Sequence, residues 1–168
     1  VNIIGMDPEM FPDVAMGTGD GLKIEGSELI LAAFRVLVVG APADDTRAHI
    51  AGVHVLVEAD GNGRQLRVES TDGSRLHATV SSVAGGTDAL ENLPITILPK
   101  AGLAQMVKSV NGHAELRFCG TAMSMASGPH TIWSRLLEGN FPKSAQVMEK
   151  PVVAAADVHA ETFLAALA

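Results

Sequence analysis

Apolar and polar residues alternate along "HIAGVHVLVEA", "RQLRVEST" and "SRLHATVSSV". That period of two is the pattern of half-buried strands. "DGNG" separates the first two runs and Thr71-Asp72-Gly73-Ser74-Arg75 separates the second pair. Asp-Gly between alternating runs is a strong hairpin signal, because glycine accepts φ > 0 at little cost. The alternation returns in "HAELRFC", "TAMSMAS" and "HTIWSRLL". A helical pattern stands ahead of each set of three strands. The first runs from about Glu28 to Gly40, with Ser27 as its cap and Gly40 and Pro42 as its stop. Leu29, Ala33, Val36 and Leu37 share one stripe, with Ile30 and Phe34 beside it. The β-branched "RVLVV" argues the other way, since valine favours strands. The second helix is "KAGLAQMVKSVNG", with Leu103, Met106, Val107 and Val110 on its stripe and Asn111-Gly112 as its stop. Short strands, Leu22-Lys23-Ile24 and "ITILP", precede the two helices, and "AGGTDALENLP" reads as a loop. The order β-α-β-β-β thus occurs twice. It predicts an α+β fold with two helices on one face of antiparallel sheets.

Composition narrows the function classes. The 168 residues suffice for one sizeable core, and 47% hydrophobic with 18% charged residues describe a globular chain. The net charge of -7 excludes an overall basic footprint for nucleic acid, so any DNA contact must come from a local patch. One cysteine, Cys119, cannot form an internal disulfide, which fits a reducing compartment. No apolar run approaches the roughly 20 residues of a membrane span. His49, His54, His77, His113, His130 and His159 form no ligand pairs at helical or turn spacing, so no metal site is expected. "DGNGRQ" lacks the helix and Lys-Ser/Thr of a phosphate loop.

A longer repeat suggests where the domain lies within its gene. "EMFP" and "GNFP" end 130 residues apart, and "ELILAAF" from Glu28 is echoed by "ETFLAAL" from Glu161. Shared helix composition can produce such echoes. A tandem array can as well, with the end of one domain, one whole domain and the start of the next. The Pro-, Gly- and Asp-rich residues 1–20 read as a linker, and a start at Val1 reads as a fragment or as residues missing upstream.

Three motifs in order point to a family. They are Thr71-Asp72-Gly73-Ser74-Arg75-Leu76, then Pro99-Lys100 ahead of a helix, then Ser134-Arg135-Leu136-Leu137-Glu138-Gly139-Asn140-Phe141-Pro142. This resembles the bacterial sliding clamp, the DNA polymerase III beta subunit, over nearly the whole chain. The resemblance implies a DNA-clamp-like domain at 19–147, with the tail of a preceding domain at 1–18 and the start of a following one at 148–168. It also implies a pocket for short linear motifs of polymerases, the clamp loader and repair proteins. By matching position that pocket takes Ile50, Thr71, Gly73, Ser74, Arg75, Leu76, Pro142, Gln146 and Val147. Ser74, Ser144 and Gln146 stand where His, Tyr and Arg are common in the family, which bears on partner preference. For DNA, the family runs duplex through a ring lined by helices and touches phosphates. Arg35, Arg47, Lys100 and Lys108 are the positions in this chain that could supply charge.

Plainer roles stand beside these. Arg75 could simply pair with Asp72 or Glu69, Phe141-Pro142 could only end a strand, Trp133 fits a core, and the four cations could be solvated surface charge. The implied function is a non-enzymatic processivity factor in the bacterial cytoplasm, with no cofactor. The full-length protein would be a homodimeric ring around duplex DNA, and this chain alone a monomer. A stand-alone clamp-like peptide-binding adaptor, from a phage or mobile element, is the second reading. An unrecognised hydrolase or transferase is the third.

Overall fold

The computed structural model describes residues 5, 7–10, 21–40, 46–60, 63–85, 96–144, 146 and 154–167. The expected linker 1–20 falls mostly outside these residues, apart from a 3-10 turn at Pro8–Met10. Residues 86–95, which hold most of the expected loop, and Val147 also lie outside them.

The twofold β-α-β-β-β order is what the chain adopts. The first half is β1 (Leu22–Glu25), α1 (Gly26–Val39), β2 (Gly52–Asp60), β3 (Gly63–Thr71) and β4 (Leu76–Gly85). The second is β5 (Thr96–Pro99), α2 (Lys100–Lys108), β6 (His113–Cys119), β7 (Ala122–Ser127) and β8 (His130–Arg135). A last helix, α3 (Ala160–Leu167), holds the echo of "ELILAAF", and none of its residues is buried.

The halves exchange their first strands. β1 pairs antiparallel with β6, and β5 pairs antiparallel with β2. Each sheet is therefore three strands of one half completed by the first strand of the other. β1 also meets β4 through Leu22↔Gly85 and Lys23↔Ala84, which joins the sheets into the order β5-β2-β3-β4-β1-β6-β7-β8. At the far seam a single bridge, Ile97↔Leu137, brings the chain just past β8 to β5, and the Leu137 amide donates to the Ile97 carbonyl at 2.8 Å.

α1 and α2 pack on each other and on one core. Leu29, Ala33 and Val36 of α1 and Leu103 and Met106 of α2 are buried with Leu22, Ile24, Val53, Val55, Leu66, Val68, Leu116, Met123 and Met125. This is the stripe read from period 3.6, so burial overrides the strand preference of "RVLVV". Three details differ from expectation. Ile30 is exposed, because Ala32 takes the position beside the stripe. Trp133 is only half-buried on β8 and stands outside the core cluster. The cap of α1 is Glu25 and not Ser27, and Glu25 makes no side-chain capping bond. The last difference follows from a close approach. β1 runs into α1 without a loop, and Gly26 lies where a Cβ would sit 2.0 Å from the Gly112 carbonyl oxygen and 2.4 Å from Val110 Cγ1.

Gly26→Ala is therefore expected to destabilise the fold by about 1–3 kcal/mol, the range of an overpacked site whose neighbour is backbone. Urea denaturation of the two proteins checks it, and equal midpoints would contradict the packing described.

Candidate functional site

The turn between β3 and β4 is built from its own side chains. Asp72 Oδ1 accepts the amides of Ser74 at 2.9 Å and Arg75 at 2.8 Å. Asp72 Oδ2 accepts Arg75 Nε at 2.9 Å and Nη2 at 2.7 Å. Thr71 Oγ1 donates to the Arg75 carbonyl at 2.6 Å and accepts the Gly73 amide at 3.0 Å. Gly73 has φ +93°, which other residues adopt only with strain. The Arg75 amide and guanidinium and the Ser74 amide hold the Asp72 carboxyl well below the usual carboxylate range. Each residue of "TDGSR" thus shapes the loop. Of the two partners expected for Arg75, Asp72 is the one it meets, with the Arg75 side chain still 67% exposed.

The same turn touches the helical layer. Arg47 Nη2 donates to the Asp72 carbonyl at 3.4 Å. Ser70 Oγ donates to the Val36 carbonyl in the last turn of α1 at 2.5 Å. Lys100, at the start of α2, donates to the Gly40 carbonyl just past α1. Burial lowers the Lys100 pKa, and the charge of Asp72 opposes that shift. Two of the four cations expected to face DNA, Arg47 and Lys100, are thus engaged at the hairpin and the end of α1. Arg35 and Lys108 are exposed on α1 and α2.

A groove of about 810 Å³ lies across the other face of β2 and β3, under residues 140–144 and 146. Pro142 and Gln146 line it, with Leu56, Phe141 and Lys143. At its floor is a polar cluster that sequence reasoning missed. Glu69, only 1% exposed, accepts Arg67 Nε at 2.6 Å and Ser144 Oγ at 2.7 Å, and His54 Nδ1 lies 3.4 Å from it. Phe141 is buried and stacks on His54, with ring centroids 4.7 Å apart. Burial pushes the Glu69 carboxyl up, but bonds from His54, Ser144 and Arg67 outweigh it and leave its pKa below the ordinary value. The one signal available was that Arg67 and Glu69 fall on the same side of a strand. Ser, His and Glu converge here in the wrong order for nucleophilic catalysis. The serine bonds to the carboxylate rather than to the imidazole, and Arg67 neutralises that carboxylate.

The nine expected pocket residues divide. Thr71, Gly73, Ser74, Arg75 and Leu76 form or flank the hairpin turn, with Thr71 paired to Leu76. Ile50 is buried in the turn before β2, and Thr71 is buried too. Pro142 and Gln146 are exposed along the groove, whose floor residues Arg67 and Glu69 share a face of β3 with Thr71. Val147 lies outside the described residues.

Residues 23–143 match the model of the central domain of the DNA polymerase III beta subunit. The chain belongs to this beta-subunit family. The beta sliding clamp of Synechococcus elongatus is 27% identical over 97% of this chain and 43% of its own length. Among solved structures, the beta subunit from the DNA polymerase of Streptococcus pyogenes superposes with a TM-score of 0.72 at 20% identity, over 89% of this chain and 39% of its own. The Pseudomonas aeruginosa beta subunit gives 0.70 at 24%, over 87% and 39%. The chain therefore spans less than half the length of these relatives, and the beta-subunit fold of its central part is shared with them. No helix among the described residues is long and apolar enough to cross a membrane.

Asp72 is the carboxylate on which the turn depends. Asp72→Ala should speed amide exchange at Ser74 and Arg75, whereas Arg75→Ala, which keeps both backbone bonds, should not. The sign with pH follows from the lowered pKa: the contribution is complete above the unfolded value of about 4 and fades as pH falls through the lower folded value. Ser74 and Arg75 amide shifts that hold steady from pH 7 to 4 in an NMR titration would bear this out. A shift centred near the ordinary Asp value would refute it.

Proposed function

We propose that this chain is the central part of a bacterial sliding clamp, a non-catalytic processivity factor. The whole protein would encircle duplex DNA as a homodimeric ring in the bacterial cytoplasm. Residues 19–147 are the central domain in this reading, with 1–18 and 148–168 belonging to its neighbours. The observation that carries it is the family match over 23–143 together with the strand-exchanged double β-α-β-β-β fold. Such a ring works by topology and effective concentration, so an acidic body is no obstacle. Arg35, Arg47, Lys100 and Lys108 are the cations proposed to face DNA, with Arg35, Arg47 and Lys108 exposed and Lys100 half-buried.

Polymerase, clamp loader and repair proteins would dock short extended motifs beside the "TDGSR" turn and the 142–147 segment. The support is chemical. Gly73 lets a peptide backbone approach, Leu76 and Pro142 offer apolar contact, and Arg75 offers an exposed polar anchor. A peptide with Gln, Leu and a Leu-Phe pair should bind this chain with a Kd on the order of 100 μM, about -5.5 kcal/mol. NMR titration should place the shifts at Thr71–Leu76 and Pro142–Gln146. Arg75→Ala should weaken binding while leaving the thermal midpoint nearly unchanged, since an exposed ion pair contributes little. Equal affinity in both proteins, or shifts confined to α1 and α2, would refute the pocket.

A further inference from the structure

The buried carboxylate of Glu69 calls for an explanation that fold stability does not supply. Removing a carboxylate from water costs several kcal/mol, and well-packed apolar residues often serve a core as well or better. Here the carboxylate gathers groups from three places: His54 on β2, Arg67 on its own strand, and Ser144 from the segment that crosses both strands. Phe141, in the same segment, is buried and stacked on that same His54. Residues 141 and 144 are thus held to the sheet on a shared floor. Pro142 and Lys143 between them face outward, as does Gln146 beyond.

We propose that Glu69 is a positioning residue, which through Ser144 and His54 fixes the segment bearing Pro142 and Gln146 as one wall of the peptide pocket. The inference rests on the pocket reading above. The apolar clamp, Phe141 on His54, sets where the segment lies. The polar clamp, Ser144 Oγ on Glu69 Oε1 at 2.7 Å, sets how far the following residues stand from the sheet. Arg67 serves as counter-charge, with its Nη1 also 3.8 Å from Glu58 Oε2. The carboxylate can then stay ionised under the segment and accept the serine hydroxyl, and a charged acceptor makes the stronger bond.

The test uses the 168-residue chain with Ser144→Ala, Ser144→Thr and Glu69→Gln, and two separate readouts. Amide exchange at Lys143, Ser144 and Gln146 reports whether the segment is anchored. NMR titration with the Gln-Leu-Leu-Phe type of peptide reports whether anchoring shapes the pocket. Ser144→Ala should raise exchange in the segment and weaken the peptide about tenfold, the low end of what one hydrogen bond to a charged group contributes. Its thermal midpoint should stay close to wild type. Ser144→Thr, which keeps the hydroxyl, should restore both readouts, and a role in stability alone would not produce that pattern. Glu69→Gln should repeat the Ser144→Ala result if it folds. Unchanged exchange in Ser144→Ala would overturn the anchor. Raised exchange with undiminished peptide binding would overturn the positioning role. Failure of the wild-type chain to bind any peptide would sink the pocket reading and the positioning role with it, while the exchange data would still decide whether Glu69 anchors the segment.

Discussion

Everything in this domain follows from the exchange of first strands between its halves. A β-α-β-β-β unit on its own would hold three sequential strands and leave a short strand and a helix to find partners. β1 instead completes the β6-β7-β8 sheet and β5 completes the β2-β3-β4 sheet. Each exchanged strand continues directly into a helix, so the pairing dictates where α1 and α2 begin. The two helices have to pack side by side over one shared core, and neither half can bury its apolar stripe without the other. Gly26 is where this constraint is tightest, because the β1-to-α1 junction presses on the carbonyl of Gly112 ahead of β6.

The alternation of apolar and polar residues made the strands legible, and the two helical stripes made the layer legible. The strand boundaries came within a few residues because the turns are short and each carries a glycine. What the sequence could not disclose was which strand pairs with which across the halves. Periodicity assigns a residue to a face and says nothing of its neighbour. The "RVLVV" ambiguity was settled by tertiary burial. Ser27 failed as a cap because the helix begins two residues earlier, at a glycine that packing requires. Trp133 was placed in the core on size alone, yet β8 lies at the end of the strand order, where a large side chain can stay half-covered.

The turn at the candidate site was legible in the sequence, and its supports were not. The motif residues Thr71 to Leu76 do form one turn, and the ordinary role expected for Arg75 holds without competing with the other. An arginine bonded to Asp72 on one side and two-thirds exposed shapes the turn and leaves surface for the anchoring role proposed for it. The cluster of Glu69, Arg67, His54 and Ser144 went unread because its members lie on two strands and a distant segment, and no spacing rule links residue 69 to residue 144. A buried charge in the middle of a strand is visible in a sequence only as an oddity. Its partners appear when the chain folds back on it.

The charges on the helical layer bear on how such a domain could treat DNA. Arg47 bonds to the hairpin and Lys100 to the end of α1, so two cations are drawn into ties between the hairpin and the helices. Around Arg35, the outward side of α1 exposes Ile30, Leu31 and Val38 rather than further basic residues. Each phosphate contact adds to the salt dependence of binding, and a face with few available cations makes few such contacts. On the proposed reading, a ring of these domains would hold duplex chiefly by enclosing it. Weak contact then suits the task, because a tether that gripped phosphates tightly would not slide. The acidic balance of the chain is compatible with that arrangement, which would leave the affinity that matters to the proposed docking surface.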